Sequence, residues 1–361
     1  MKIAVIVPSL RELAPVQVAM TVAVLLVKAG HTVTVYYFKK TSGLWQAEGI
    51  TFVKINFFSC MDWDEYDIIH SHGFLPDAFV SLRKSRHSCA KSVSTIHNYV
   101  FPELKLLYNQ VVSSTVGWTW VWAWKRMDHV VVLTNDALQY YRALLPQTSL
   151  SRIYNGKNIV HNPNVILPEH RLLADEIRKK YTYCIGSIAA LISRKRIDIL
   201  VRHLSRVETG GLMILGEGPQ RNQLEELVAK HNLQDRVKFL GYIPQAHAYN
   251  ELFDISAHPS MSEGFSLSLI EAAGYQKNIV CADIPAFREA FTDDEATFFN
   301  SQDELTIDQS ILEAWRDNEK PGKAYQKVIT NYSEERMGEQ YDILFKDLNR
   351  TSPRPSSKRE A

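Results

Sequence analysis

Glu263 and Glu271 stand eight positions apart in the stretch Ser260-Met261-Ser262-Glu263-Gly264-Phe265-Ser266-Leu267-Ser268-Leu269-Ile270-Glu271-Ala272-Ala273-Gly274. Gly264 permits a tight turn, Ser266 suits an N-cap, and Leu267, Leu269, Ile270 and Ala273 give an apolar helix face. Glu263 therefore precedes a helix and Glu271 lies inside it. A helix start offers free N–H groups and the positive end of a dipole, which suit a phosphate. Two carboxylates beside that phosphate would repel it, unless they accept hydrogen bonds from neutral hydroxyls attached to it. A nucleotide-sugar carries all three parts: a diphosphate, a ribose and a sugar. The competing reading has Glu263 solvated and Glu271 satisfying nearby backbone.

Three adjacent cations, Arg194, Lys195 and Arg196, follow a strand-like run and precede a helical one. They cannot all point the same way, but one or two could neutralise a diphosphate without a metal. A solvated basic loop is the alternative. Gly216-Glu217-Gly218-Pro219 also sits between a strand and a helix, where the glycines serve either phosphate approach or a tight turn. The third glycine of a dinucleotide fingerprint is missing. Asp62-Trp63-Asp64 has a metal-binding spacing but precedes its strand, so it reads as a polar turn, and no metal is implied.

The elements that position these groups alternate. Ile3–Val7 is a short apolar run stopped by Pro8, Val16–Lys28 has helical spacing and ends at Gly30, and Thr32–Phe38 is strand-like again. This β-α-β opening predicts a parallel, doubly wound α/β sheet. Runs at 67–70, 93–96 and 130–133 continue it. Ligands of such sheets meet the carboxyl ends of strands, which puts His72, His97 and Asn98 on the ligand side. Loop-anchoring is the alternative role for such histidines. The stretch 106–127, with Trp118, Trp120, Trp122, Trp124, Lys125 and Arg126, alternates like a strand, but its place between parallel strands favours a helix. Four tryptophans cannot share one helix face, so some should be exposed. Tryptophan beside basic residues suits a membrane surface, and an internal aromatic packing surface is the alternative.

Asn155-Gly156 and the loop-rich 161–168 mark a boundary, after which the pattern restarts, with 183–189, 212–215, 237–240, 254–257 and 279–281 as strands and 197–207 and 219–231 as helices. The expected organisation is a first Rossmann-like domain at 1–165, a second at 166–325, helices at 326–349 and a basic, Pro/Ser-rich disordered tail at 350–361. At 361 residues, two domains are the natural count. Lys+Arg 41 against Asp+Glu 40 gives a net charge of +1, so no global field points to nucleic acid. The four cysteines are scattered without a C-x-x-C pair, which fits a reducing compartment. No signal peptide or spanning run is seen, so a cytoplasmic location is expected.

Taken together, these residues resemble the retaining GT-B glycosyltransferases of the sucrose-synthase-like family, many of which build bacterial polysaccharides and lipopolysaccharides, including O-antigen and capsule. The resemblance covers nearly the whole chain. Its most specific part is the E-x7-E motif, Glu263 to Glu271, preceded by His258-Pro259-Ser260. Gly216-Glu217-Gly218-Pro219, Phe239-Leu240-Gly241, Asn155-Gly156 and Thr95-Ile96-His97 support it.

The resemblance implies a GT-B fold, with an N-terminal acceptor domain and a C-terminal nucleotide-sugar domain facing across a cleft and a last helix crossing back to the first. It implies a retaining, metal-independent hexosyl- or N-acetylhexosaminyltransferase that uses a nucleoside-diphosphate sugar, with uridine as the expected base, and a glycan or lipid-linked acceptor. No cofactor is implied. His97, Lys195 and Glu263 would be catalytic: His97 lining the reacting face of the sugar, Lys195 on the phosphate, and Glu263 on the sugar hydroxyls. Glu271 would hold the ribose. Arg194, Arg196, Gly216, Gly218, Gly241, Tyr242, Gly264, Phe265, Ser266 and Leu267 would complete the donor site, with Arg11, His72 and Asn98 on the acceptor side. Peripheral contact with the cytoplasmic face of the inner membrane would run through 118–126.

The chain departs from the family pattern at three places. The loop after the first strand lacks glycine, Ala190 stands where an arginine is usual, and Asn98 stands where an aspartate is frequent. A non-catalytic nucleotide-sugar-binding or scaffold protein of the same fold is the alternative these departures motivate. An NAD-dependent oxidoreductase is disfavoured by the incomplete glycine motifs.

Overall fold

The computed structural model describes residues 1–11, 13–39 and 47–350. The chain divides into two compact units, one formed by residues 1–156 together with the segment from Glu334 onward, the other by Lys157–Ser333.

The first unit contains β1 (Lys2–Ser9), α1 (Ala14–Lys28), β2 (Thr32–Lys39), β3 (Ile50–Lys54), β4 (Ile68–His72), α2 (Phe74–Arg83), β5 (Lys91–Thr95), α3 (Val100–Leu107), α4 (Gln110–Trp124), β6 (His129–Val132), α5 (Asn135–Leu144) and β7 (Ser149–Arg152). Its strands are all parallel, in the order β3-β2-β1-β4-β5-β6-β7 among the described residues. Ile3–Val7 of β1 are fully buried, as a central strand covered by helices on both faces must be.

The second unit contains α6 (Pro168–Lys180), β8 (Tyr183–Ile188), α7 (Ile197–Arg206), β9 (Gly210–Leu215), α8 (Arg221–Lys230), β10 (Val237–Gly241), β11 (Ile255–His258), α9 (Leu267–Gly274), β12 (Asn278–Ala282), α10 (Pro285–Ala290), β13 (Thr297–Phe299), α11 (Thr306–Arg316) and α12 (Lys320–Asn331). Its parallel sheet runs β10-β9-β8-β11-β12-β13. In both sheets the strand order reverses beside the first strand, and a reversal of this kind opens a ligand crevice at the carboxyl edge.

The last helix, α13 (Glu334–Arg350), belongs to the first unit. Gly338 approaches Leu25 of α1 so closely that an added Cβ would lie 2.9 Å from the leucine Cβ. Tyr341 and Phe345 are fully buried against His70 of β4, with ring centroids at 5.2 and 5.3 Å. The hydroxyl of Tyr341 lies 2.9 Å from Thr95 Oγ1, and Asp342 meets His31 Nε2 at 2.7 Å.

Several details differ from the sequence expectation. The units divide at Gly156/Lys157 rather than near 165, because the segment that follows packs on the second unit. Ile159 fills the space beside Gly274, and the Val160 carbonyl accepts from the Tyr275 hydroxyl. The helix at 320–331 stays with the second unit, so only the segment from Glu334 returns. Residues 106–127 form parts of two helices, since Asn109 caps a new one by accepting from Val112 N–H at 3.0 Å. The strands β3, β7 and β13 are short edge or near-edge elements whose polar or brief runs carry little periodic signal. The tail at 351–361 lies outside the described residues.

Candidate functional site: a cation–carboxylate cluster and a histidine pair

In the second unit, loops at the carboxyl ends of β8, β9 and β11 converge. Backbone–backbone contact explains the glycines. Gly216 has φ +135°, and a Cβ there would lie 1.9 Å from the Ala189 carbonyl oxygen; at Gly218 it would lie 2.4 Å from that of Leu191. Hydrogen bonds from Ala189 N–H to Leu215 O and from Leu191 N–H to Glu217 O stitch the two loops together. Gly241, at φ +72°, accepts from Gly216 N–H. Tyr242 beside it is exposed.

The loop after β8 then makes a 3-10 turn at Ser193–Lys195 and delivers two cations to one carboxylate. Lys195 Nζ lies 2.5 Å from Glu263 Oε1, and Arg194 Nη1 lies 3.1 Å from Glu263 Oε2. Arg194 also donates to the Ser262 carbonyl, and Met261 N–H donates to the Arg194 carbonyl at 2.9 Å. Glu263 is only 7 % exposed. Burial pushes its pKa up, but Lys195 and Arg194 outweigh this and hold it at about 2. His258, at the end of β11, is held neutral by burial, reinforced by the Lys195 charge, with its pKa lowered to about 3. Ser187, Lys195, His258, Ser260, Glu263 and Ser268 line one small cavity here.

Beside this cavity α9 begins. Ser266 caps it, its Oγ accepting from Leu269 N–H. Phe265 is buried edge-on against Tyr332 at 5.4 Å. Glu271 is half-buried, and its carboxylate makes no hydrogen bond or ion pair among the described residues. Burial raises its pKa to about 7, opposed by the charge of Lys157. A carboxylate in this state gains from any ligand that donates hydrogen bonds to it.

Of the expected donor residues, Arg194, Lys195, Glu263 and Ser266 come together. Arg196 does not join them. It takes a left-handed conformation at φ 50°, and its guanidinium is held by Glu304 at 2.8 Å and Asp198 at 3.5 Å. Ser187, Ser268 and Lys157, absent from the sequence expectation, stand in the site. Ser187 is brought in by β8, Ser268 by the first turn of α9 and Lys157 by the loop that opens the second unit.

In the first unit, His72 ends β4, and His97 follows β5. His72 Nδ1 lies 3.0 Å from His97 Nε2, with the rings stacked at 30°. Burial lowers the pKa of both, that of His97 to about 4, so both are neutral at physiological pH. Asn98 contributes its carbonyl, which accepts from the buried Tyr141 hydroxyl at 2.6 Å and so fixes the loop. Arg11 lies on the exposed loop after β1, and its backbone N–H donates to Ser9 Oγ at 3.3 Å.

The tryptophans of α4 split by face. Trp120 and Trp124 turn inward, each donating its indole N–H to Asp77 Oδ2, at 2.7 and 2.9 Å. Ser71 and Ser94 donate to the other carboxylate oxygen at 2.6 and 2.8 Å. Val111, Trp118 and Trp122, at helical spacing on the opposite face, are 75 %, 56 % and 44 % exposed. Arg126 lies 5.0 Å over the Trp122 ring and donates to the Ser81 carbonyl beside the exposed Leu82. Between 104 and 127 the only charged side chains are Lys105, Lys125 and Arg126. Among the described residues, no helix is long and apolar enough to cross a membrane.

Comparison with known proteins agrees with this architecture. Residues 173–332 match the family described as glycosyl transferases group 1, and residues 56–159 match glycosyltransferase family 4. An O-antigen biosynthesis glycosyltransferase, WclY, from Escherichia coli is 29% identical over 297 residues, 79% of this chain and 80% of its own. An N-acetylgalactosamine-N,N'-diacetylbacillosaminyl-diphospho-undecaprenol 4-alpha-N-acetylgalactosaminyltransferase from Campylobacter jejuni is 32% identical over 155 residues, 39% of this chain and 42% of its own. Among solved structures, sucrose-phosphate synthase from Thermosynechococcus elongatus superposes with a TM-score of 0.81 at 17% identity, covering 97% of this chain and 100% of its own. Anabaena Alr3699/HepE in complex with UDP and glucose gives 0.77 at 15% identity, covering 96% and 100%.

Proposed function

We propose that this chain, which has the GT-B fold and whose residues 173–332 match the group 1 glycosyl transferases, transfers a sugar, with retention, from a uridine-diphosphate donor to a hydroxyl of a glycan or lipid-linked acceptor in bacterial surface polysaccharide synthesis. The observation that carries this reading is the Lys195–Glu263–Arg194 cluster beside the start of α9, with the Glu271 carboxylate unpartnered within that helix. The UDP complex of Anabaena HepE supports the choice of base, and the undecaprenol-linked substrate in the Campylobacter relative's name supports a lipid-linked acceptor.

In this reading the diphosphate meets Lys195, Arg194 and the first N–H groups of α9. Glu271 accepts from the ribose hydroxyls and Glu263 from those of the sugar, which is a hexose or an N-acetylhexosamine. From the first unit, His97 is the side chain assigned to the sugar. The bond from the anomeric carbon to the phosphate oxygen breaks as the acceptor oxygen bonds to the same face. The acceptor proton passes to the departing phosphate oxygen, and the cations stabilise the charge that develops there. No protein nucleophile is formed. The reading includes a metal-independent reaction. The exposed face of α4 serves as a peripheral contact with the cytoplasmic side of the membrane that carries the acceptor.

A panel of nucleotide-sugars, assayed for nucleotide release with and without a lipid-linked glycan, tests the reading. Acceptor-dependent release of UDP from one donor is the expected result. Binding of UDP without release from any donor favours a non-catalytic binding protein instead.

A further inference from the structure

We propose that His72 is a positioning residue that sets the tautomer of His97, so that His97 offers its ligand an N–H rather than a lone pair. The geometry follows from the sheet. β4 and β5 are parallel neighbours with His72 paired to Thr95, so the histidine two residues beyond Thr95 is carried back over the His72 ring. The 3.0 Å contact joins Nδ1 of His72 to Nε2 of His97. One proton lies between them, because two lone pairs or two N–H groups would repel at this distance.

The other nitrogen of His72 decides which ring owns that proton. Nε2 of His72 is buried and has no hydrogen-bond partner. A buried N–H without an acceptor is the rarer and costlier defect, whereas a ring lone pair turned into apolar surroundings leaves no donor stranded. His72 therefore keeps its single proton on Nδ1 and donates it to Nε2 of His97. His97, also neutral, must carry its own proton on Nδ1. The same logic orders the adjoining ring. His70 Nδ1 is likewise buried without a partner, while its Nε2 lies 2.8 Å from Thr95 Oγ1, which in turn meets the Tyr341 hydroxyl. A second histidine and the returning helix α13 thus hold the wall against which His72 rests, its ring centroid 4.2 Å from that of His70.

The chemical consequence rests on the assignment of His97 to the donor sugar. With a proton on Nδ1 and Nε2 already filled, His97 donates to a sugar oxygen or to charge growing on it. It has no free lone pair with which to act as a general base, which leaves the acceptor proton to the phosphate.

The test reads the tautomer directly, by the ring 15N and 13C shifts of histidine-labelled protein at neutral pH. His97 is expected as the Nδ1–H form in the native protein and in His72→Asn, whose side-chain amide places an N–H where Nδ1 stood. In His72→Asp, which presents an acceptor there, the proton is expected to move to Nε2. Turnover of His72→Leu should fall by about tenfold to a hundredfold, as for the partners that orient ligating histidines, with little change in KM for the donor, and His72→Asn should recover most of the loss. An Nε2–H tautomer for His97 in the native protein overturns the proposal, as does an equal loss of turnover in the Asn and Leu variants. The spectra decide it even if no donor is turned over, so failure of the transferase reading is recognised separately.

Discussion

Lys195 and Glu263 touch, Nζ to Oε1 at 2.5 Å, although the lysine is assigned to the donor phosphate and the glutamate to the donor sugar. The contact holds the lysine at the carboxyl edge of β8 and lets the glutamate stay ionised while buried. Lys195→Ala should lower turnover by about tenfold to a thousandfold, the range for loss of one charge-stabilising donor. It should also lower stability by about 1.5–3 kcal/mol, as for one hydrogen bond to a charged group, because Arg194 still meets the carboxylate. Because the folded pKa of Glu263 is depressed to about 2 from 4.5, its contribution is complete above about 4.5 and fades as pH falls towards 2. Urea unfolding at pH 7 and pH 3 should show the native protein and Lys195→Ala converging at the lower pH.

Glu271 behaves in the opposite sense. Its folded pKa is raised to about 7 from 4.5, so ionising it costs stability, which declines as pH rises from about 4.5 through about 7. A ribose that donates to the carboxylate favours the ionised form. UDP affinity, measured by calorimetry, should therefore rise between pH 6 and pH 8 in step with Glu271 ionisation, about a proton being released on binding at pH 6. Glu271→Gln should bind more weakly and lose this pH dependence.

Asp77 is the hub that fastens α4 to the first sheet. Asp77→Ala strands two indole N–H groups and two hydroxyls in a buried site, and at about 1–3 kcal/mol for each buried unsatisfied group the loss should exceed about 3 kcal/mol. Asp77→Asn, which keeps an acceptor, should lose less. Chemical denaturation followed by tryptophan fluorescence measures both.

The outer face of α4 should bind anionic vesicles. Replacing Trp118 and Trp122 by serine should abolish co-flotation with vesicles containing phosphatidylglycerol while leaving the melting temperature within a few degrees, since neither indole joins the Asp77 network. Binding should weaken with added salt, because Lys125 and Arg126 supply its electrostatic part. Retention of the double variant on the vesicles excludes this face as the contact.

The sequence by itself determined the fold, because strand runs and helical periodicity are local signals that, repeated in alternation, leave a parallel doubly wound sheet as the economical solution. It also singled out Glu263 and Lys195 through their places at element ends, and Glu271 through its place eight positions on, inside the helix that Glu263 precedes. It did not show β7 or β13, whose few residues take their strand conformation from a neighbouring strand, nor the break at Asn109, which is a matter of capping. What the tertiary structure alone decided is which side chains meet. Lys195 reaches Glu263, Arg196 turns to Glu304, His72 meets His97, and two of four adjacent-looking tryptophans share Asp77. These partners lie far apart along the chain, and their encounter depends on strand order and on the direction each side chain leaves the backbone, neither of which any short stretch of residues encodes.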